Sequence, residues 1–302
     1  MLERHYATAD VFTSRRFSGN QLAVFFDGQG LADDEMQAIT REMNYSESVF
    51  VLPAADPAHT CRLRIFTPGG ELPFAGHPTI GTAIVLAETG VIALAPGTTR
   101  IVFEEGVGPV PVTISRDGRG LFVAELTAAQ RPERLDAALP SVAGVAEVLS
   151  LTEGDIAGAI EIWSCGVPYT VVPLAGRAAM ERIRVDRRAW QEHLSASAAP
   201  ELYVLCRDPE TPGAELRVRM FAPLMGVEED PATGSAAAAL AGWLGRGLPD
   251  GEHSWLLEQG IEMGRPSLLT VTARVEGGRT IESRVAGNAV VICRGSMTVR
   301  DR

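Results

Sequence analysis

The feature that most constrains this chain is a strand that occurs twice. Residues 62–68 read Arg-Leu-Arg-Ile-Phe-Thr-Pro and residues 217–223 read Arg-Val-Arg-Met-Phe-Ala-Pro, 155 residues apart. Each is followed by a loop, a small-residue turn (Ala75-Gly76-His77, Thr233-Gly234-Ser235) and a helical stretch of small residues. The turns lie 158 residues apart, so the second loop is three residues longer. That period is far beyond a solenoid repeat and reads as a duplicated domain. A chain of 302 residues with 46% hydrophobic content can fill two cores.

The rest of the sequence repeats in the same order. Phe17-Ser-Gly-Asn20 turns into a strand at 21–26, and Gly166-Val-Pro-Tyr-Thr-Val-Val-Pro echoes it. A helix capped by Asp33 or Asp34, with Met36, Ile39 and Met43 on one face, is echoed around Asp186–Leu194. Glu47–Leu52 is echoed by Glu201–Cys206. Toward the end, 267–273, 280–285 and 289–293 read as antiparallel strands joined by glycine-rich turns. A helix rich in Ala and Gly has little bulk on any face and can be closely surrounded. The expected fold is α+β, with an antiparallel, barrel-like sheet around a central helix in each half. The expected domains are 1–127 plus 286–302, and 128–285, with the active site in the cleft between them.

Composition excludes several functions. A net charge of −11 and a pI near 5.0 give no electrostatic case for nucleic acid or anionic membranes. Nothing near Met1 resembles a signal peptide, and the longest apolar run, 236–244, is too short to span a bilayer. A cytoplasmic protein with no membrane partner is expected. Cys61, Cys165, Cys206 and Cys293 are scattered without CxxC spacing and read as reduced, buried thiols. His5, His59, His77, His193 and His253 show no metal-ligand spacing, so no metal is expected. Neither GxxxxGK[ST] nor GxGxxG occurs, and Thr-Gly-Ser-Ala is not the GxSxG elbow.

The two turns carry the chemistry. A helix N-terminus exposes unpaired N–H groups and partial positive charge, and glycine lets an anion approach closely. Ordinary capping would account for either Gly76-His77 or Gly234-Ser235 alone; two related copies favour a site for a carboxylate or an enolate-like oxyanion. Proton transfer at carbon needs a base, and the groups at hand are Glu47, Glu71, His77, Glu229, Asp230 and Ser235. Glu47 opens an apolar strand, where desolvation would raise a carboxyl pKa, though from position alone a solvated edge residue is the better explanation. His77 and Asp230 are also ordinary helix-start and turn residues.

The motifs together resemble one family. Phe17-Ser-Gly-Asn20, Ser46-Glu47-Ser48, Phe66-Thr-Pro, Glu71-Leu-Pro-Phe-Ala-Gly-His-Pro-Thr-Ile-Gly-Thr-Ala83, Glu229-Asp-Pro-Ala-Thr-Gly-Ser-Ala236 and Glu258-Gln-Gly with Met263-Gly-Arg-Pro-Ser267 are similar to the PhzF-like (phenazine biosynthesis-like) family. That family lies in the diaminopimelate epimerase-like fold superfamily. The resemblance covers essentially the full length. It implies a homodimer and cofactor-independent proton chemistry on small carboxylic acids. It implies catalytic roles for Glu47, His77, Asp230 and Ser235, and substrate binding at Asn20, Thr67, Gly76, Thr233 and Gly234. The superfamily's epimerases carry a cysteine before each turn glycine. Those positions here are Ala75 and Thr233, which disfavours a two-thiol epimerase. What remains is one carboxylate shifting a proton between carbons of a small unsaturated, hydroxy or amino acid. A lyase or hydrolase using the same enolate, and a non-catalytic binding protein, are the alternatives.

Overall fold

A short strongly bent turn opens the fold. β1 (Leu2–Val11) pairs antiparallel with β2 (Asn20–Phe25). Between them Phe12, Phe17 and Gly19 all take positive φ, at 62°, 65° and 68°. A Cβ at Gly19 would lie 2.3 Å from the Val11 carbonyl oxygen, so only glycine fits there. The turn is pinned by the Phe17 N–H, which donates to Asp10 Oδ2 at 2.6 Å.

The computed structural model describes residues 2–300. The chain forms two compact units, Met1–Thr127 with Ala286–Arg302, and Ala128–Val285. In the first, α1 (Asp33–Met43) crosses over so that β3 (Glu47–Leu52) lies parallel to β2. Met36 and Ile39 of α1 are buried against Phe25, Phe50 and Phe66, whose rings stack and meet edge-on at 5.0 and 5.7 Å. Neither Asp33 nor Asp34 caps this helix. Both lie inside its first turn, and Glu35 instead reaches back to accept from the Ala32 N–H at 2.8 Å. β4 (Cys61–Thr67) pairs antiparallel with β3, and β5 (Gly70–Leu72) is a short hairpin arm. α2 (Gly76–Glu88) is a second crossover, which places β6 (Thr99–Glu105) parallel to β4. β7 (Gly108–Arg116) and β8 (Phe122–Thr127) follow as a meander.

The long last strand, Arg279–Arg300, pairs with both β1 and β8. The ring therefore closes as an eight-stranded barrel, last strand–β1–β2–β3–β4–β6–β7–β8. The expected break near 286–288 is absent. Phe12 and Thr13 donate to the Asn288 carbonyl, and Asn288 Nδ2 donates to the Phe122 carbonyl, so this segment stays extended. Inside the barrel every residue of α2 from Gly76 to Ala87 is buried. Gly81 lets it approach the wall: a Cβ there would lie 2.5 Å from Val11 and 2.6 Å from Leu22. A helix that is apolar all round has no solvent face to offer, and enclosure is its stable arrangement.

The second unit repeats this connectivity. β9 (Glu133–Arg134), α3 (Val142–Val148), β10 (Glu161–Ser164) and β11 (Pro168–Pro173) come first. α4 (Arg177–Arg182) and α5 (Arg187–His193) then cross over to β12 (Leu202–Cys206), parallel to β11. β13 (Leu216–Ala222) is antiparallel to β12, and β14 (Val227–Asp230) is a short arm on β13. α6 (Gly234–Gly245) is the crossover to β15 (Gly251–Gln259), parallel to β13, and β16 (Ser267–Glu276) pairs with β15. Ala236–Gly242 of α6 are all buried. At Gly242 a Cβ would lie 2.5 Å from the Trp163 ring and 2.7 Å from Pro132. Each unit is thus mixed rather than purely antiparallel, with two parallel pairs made by its two helical crossovers. Among the described residues no helix is long and apolar enough to cross a membrane.

Candidate active site

The repeated arginine strand explains why two of the six acid–base candidates are occupied. Arg64 Nε and Nη2 donate to Glu71 at 2.7 and 2.6 Å, and Arg219 Nε and Nη2 donate to Glu229 at 2.8 and 2.8 Å. The second arginine of each β4/β13 strand thus clamps, in bidentate form, a glutamate of the loop that leads to the enclosed helix. Arg64 also donates to Asp33, and Arg219 to the Met180 carbonyl. Glu71 and Glu229 hold their loops and are not free to act as bases.

In the first unit three strand and helix starts converge. Asn20 is the first residue of β2 and Glu47 the first of β3, and the parallel register sets Leu22 opposite Glu47. A parallel pair brings both N-terminal ends to one side, and a helix arriving there adds His77 as its second residue. His77 Nε2 lies 3.3 Å from Glu47 Oε2, and Asn20 Nδ2 lies 3.3 Å from His77 Nδ1. Ser46 Oγ donates to Asn20 Oδ1 at 2.8 Å, which orients the amide. Asn20 is 0% exposed, His77 5%, and the Glu47 side chain 15%. Burial pushes the His77 imidazole down to about 3, against the opposing pull of the Gln21 backbone, which favours the neutral ring. The contact with Glu47 is therefore not an ion pair. It sets a carboxyl group beside a fixed neutral imidazole at the N-terminus of a 13-residue helix, where orphan backbone N–H groups favour negative charge.

Thr67 is engaged nearby in sequence rather than with these groups. Its hydroxyl donates to the Gly70 carbonyl and accepts from the Gly69 and Gly70 N–H groups, closing the turn into β5.

In the second unit Thr233, the residue before α6, is extended and makes no side-chain cap. Its hydroxyl donates to Asp230 Oδ2 at 2.5 Å, and its N–H donates to Gln259 Oε1 at 3.2 Å. Both polar groups of Thr233 are thus committed inside the turn. The Ser235 hydroxyl lies 2.7 Å from Tyr169 Oη, and the rings of Tyr169 and Tyr203 are 6.4 Å apart. Tyr169, Tyr203 and Gln259 were not among the sequence candidates. Tyr169 and Tyr203 sit in apolar strands and read as core; Gln259 lies in the Glu258-Gln-Gly motif, the one signal that could have found it.

The thiols stay apart from both groups. Burial pushes Cys61 and Cys165 up to about 12, and both are free. Among the described residues no three His, Cys, Asp or Glu side chains gather to hold a metal ion.

The sequence model of the family described as phenazine biosynthesis-like protein matches residues 9–295. An uncharacterized isomerase of Mesorhizobium japonicum is 44% identical over 306 residues, covering 99% of this chain and 100% of the relative. A trans-2,3-dihydro-3-hydroxyanthranilate isomerase of Pseudomonas aeruginosa is 38% identical over 294 residues, covering 96% and 98%. Among solved structures, a Bacillus anthracis phenazine biosynthesis protein of the PhzF family superposes with a TM-score of 0.89 over 99% of this chain and 100% of the other. Its 24% identity speaks to fold alone.

Proposed function

Because the chain belongs to the phenazine biosynthesis-like protein family and is one of its isomerases, we propose that it shifts a proton between two carbons of a small unsaturated carboxylic acid, with Glu47 as the only base and no cofactor. The observation that carries this reading is the Glu47–His77 pair, 3.3 Å apart at the first turn of α2. Glu47 takes a proton from an activated C–H, the double bonds shift, and the same carboxyl group returns a proton to another carbon. Atoms balance without an oxidant or a second substrate. His77, neutral and beside Asn20, lies 3.3 Å from the carboxyl and fixes its place without adding a charge. The N–H groups at Gly76-His77 stabilise negative charge that develops on the substrate.

Asp230, Gly234 and Ser235 are assigned the substrate's polar groups on the family pattern, together with the buried network around them. Thr233 supports them from behind, since its hydroxyl and N–H are already used. Single-carboxylate catalysis is also favoured by Ala75 and Thr233 standing where a two-thiol epimerase needs cysteines. A homodimer belongs to the same reading, and light scattering on a sizing column would give its mass.

The substrate class follows the relatives. Incubating the protein with trans-2,3-dihydro-3-hydroxyanthranilate in D2O should give an isomer that carries solvent deuterium at the newly protonated carbon, seen by NMR. Substrate returned unchanged, under conditions where the Pseudomonas aeruginosa relative converts it, would remove this acid from the account.

A further inference from the structure

We propose that Gln259 is a positioning residue, which sets Asp230 and the first turn of α6 through a clasp built from Glu258-Gln259-Gly260. The inference rests on the isomerase reading above for the use of Asp230, but the clasp itself stands on geometry.

Gln259 ends β15, is 0% exposed, and is held in register opposite Val218 of β13. All four hydrogen-bonding positions of its amide are filled. Oε1 accepts from the Thr233 N–H at 3.2 Å and from Tyr203 Oη at 3.4 Å. Nε2 donates to the Asp230 carbonyl at 2.8 Å and to Thr233 Oγ1 at 3.0 Å. The orientation of the amide follows from its partners. The Thr233 hydroxyl spends its one hydrogen on Asp230 Oδ2, so Thr233 Oγ1 must accept from Gln259. The Asp230 carbonyl can only accept, and the Thr233 N–H can only donate. A flipped amide would set oxygen against oxygen and N–H against N–H.

The neighbours on either side hold this amide in place. Glu258, also 0% exposed, accepts from the N–H groups of Glu210 and Thr211 at 2.9 and 2.7 Å and anchors the strand end. Gly260 has φ +73°, and a Cβ there would meet the Pro231 carbonyl oxygen at 2.7 Å and that of Arg265 at 2.5 Å. The backbone of the motif therefore lies directly against the Asp230–Thr233 turn. A side chain merely filling space would need neither the full set of four bonds nor this approach.

Two substitutions separate the roles. Q259M keeps the volume and removes all four bonds. Q259E keeps the shape but turns both donors into acceptors that face Asp230 and Thr233, with Asp230 and Tyr203 the titratable groups nearby. Both proteins are first checked by circular dichroism and melting. Amide hydrogen exchange of 15N-labelled protein then reads the clasp without any ligand. The Thr233 N–H should exchange at least tenfold faster in Q259M, while the amides of β12 and of the C-terminal half of α6 keep their rates. With trans-2,3-dihydro-3-hydroxyanthranilate as probe, Q259E should lose at least tenfold in kcat/KM at neutral pH. Measured as a ratio to the unsubstituted protein at each pH, so that titration of Glu47 cancels, part of that loss should be recovered as acid protonates the new carboxyl and restores one donor. Thr233 exchange unchanged in Q259M would overturn the clasp. Faster exchange with kcat and KM both unchanged would overturn the positioning role. Failure of the isomerase reading is seen separately, as no turnover by the unsubstituted protein, and the Thr233 amide then still decides the clasp.

Discussion

Glu105 closes β6 and is 7% exposed, and replacing it with Gln should stabilise the protein in a pH-dependent way. One carboxyl oxygen lies 2.7 Å from Thr79 Oγ1, and the other has no hydrogen-bond partner among the described residues. The Thr79 hydroxyl also reaches the Ala75 carbonyl at 2.8 Å, and one hydrogen cannot serve both acceptors. The buried carboxylate is thus short of donors, which favours the protonated form. Burial accordingly pushes its pKa from 4.5 to about 8, with the Thr79 bond opposing. A carboxyl whose pKa is raised on folding adds stability that is fully present below pH 4.5 and lost as pH rises through about 8. At about 1.4 kcal/mol per pH unit the loss across that window is about 3–5 kcal/mol. The amide of Glu105→Gln mimics the protonated acid and carries no such penalty. Urea unfolding of both proteins at intervals from pH 4.5 to 8.5 gives the difference directly, because all other groups cancel. The variant should match the unsubstituted protein near pH 4.5 and exceed it by about 3 kcal/mol or more near pH 8. A difference that stays constant with pH would refute a buried neutral carboxyl at this position.

Two further outcomes follow from contacts already described. Gly242→Ala should destabilise by about 1–3 kcal/mol, since the new methyl meets the rigid Trp163 ring and Pro132, and thermal melting reads this as a lower Tm. Tyr169→Phe should reduce kcat/KM by roughly fivefold through loss of the hydroxyl beside Ser235, worth about 1 kcal/mol, with little change in melting temperature.

Much of the architecture is legible in the residues. The duplicated Arg-x-Arg-x-Phe strand and the two small-residue helices mark the internal repeat, because a helix without bulk on any face has to be enclosed. Glu47 is visible as the polar start of an apolar strand. The parallel pairings are harder to read, since β2 with β3 and β4 with β6 depend on where crossover helices return the chain, not on strand composition. Asp33 and Asp34 look like caps, yet the backbone turns at Ala32 and Glu35 takes that place. Asn20 against His77 and Gln259 against Thr233 are contacts across 57 and 26 residues of chain. Nothing local in the sequence requires either. Glu71 and Glu229 pass as candidate bases until Arg64 and Arg219 are seen to hold them.

The central claim is that Glu47 alone moves the proton. It is tested most directly by following solvent deuterium into product and remaining substrate with Glu47→Gln beside the unsubstituted protein. Binding, measured by calorimetry, should survive in the variant, because the amide keeps the shape and the place beside His77. Deuterium incorporation should fall by a factor of about 10²–10⁴, the usual worth of a positioned general base. Incorporation that persists undiminished in Glu47→Gln would contradict the account and move the base elsewhere.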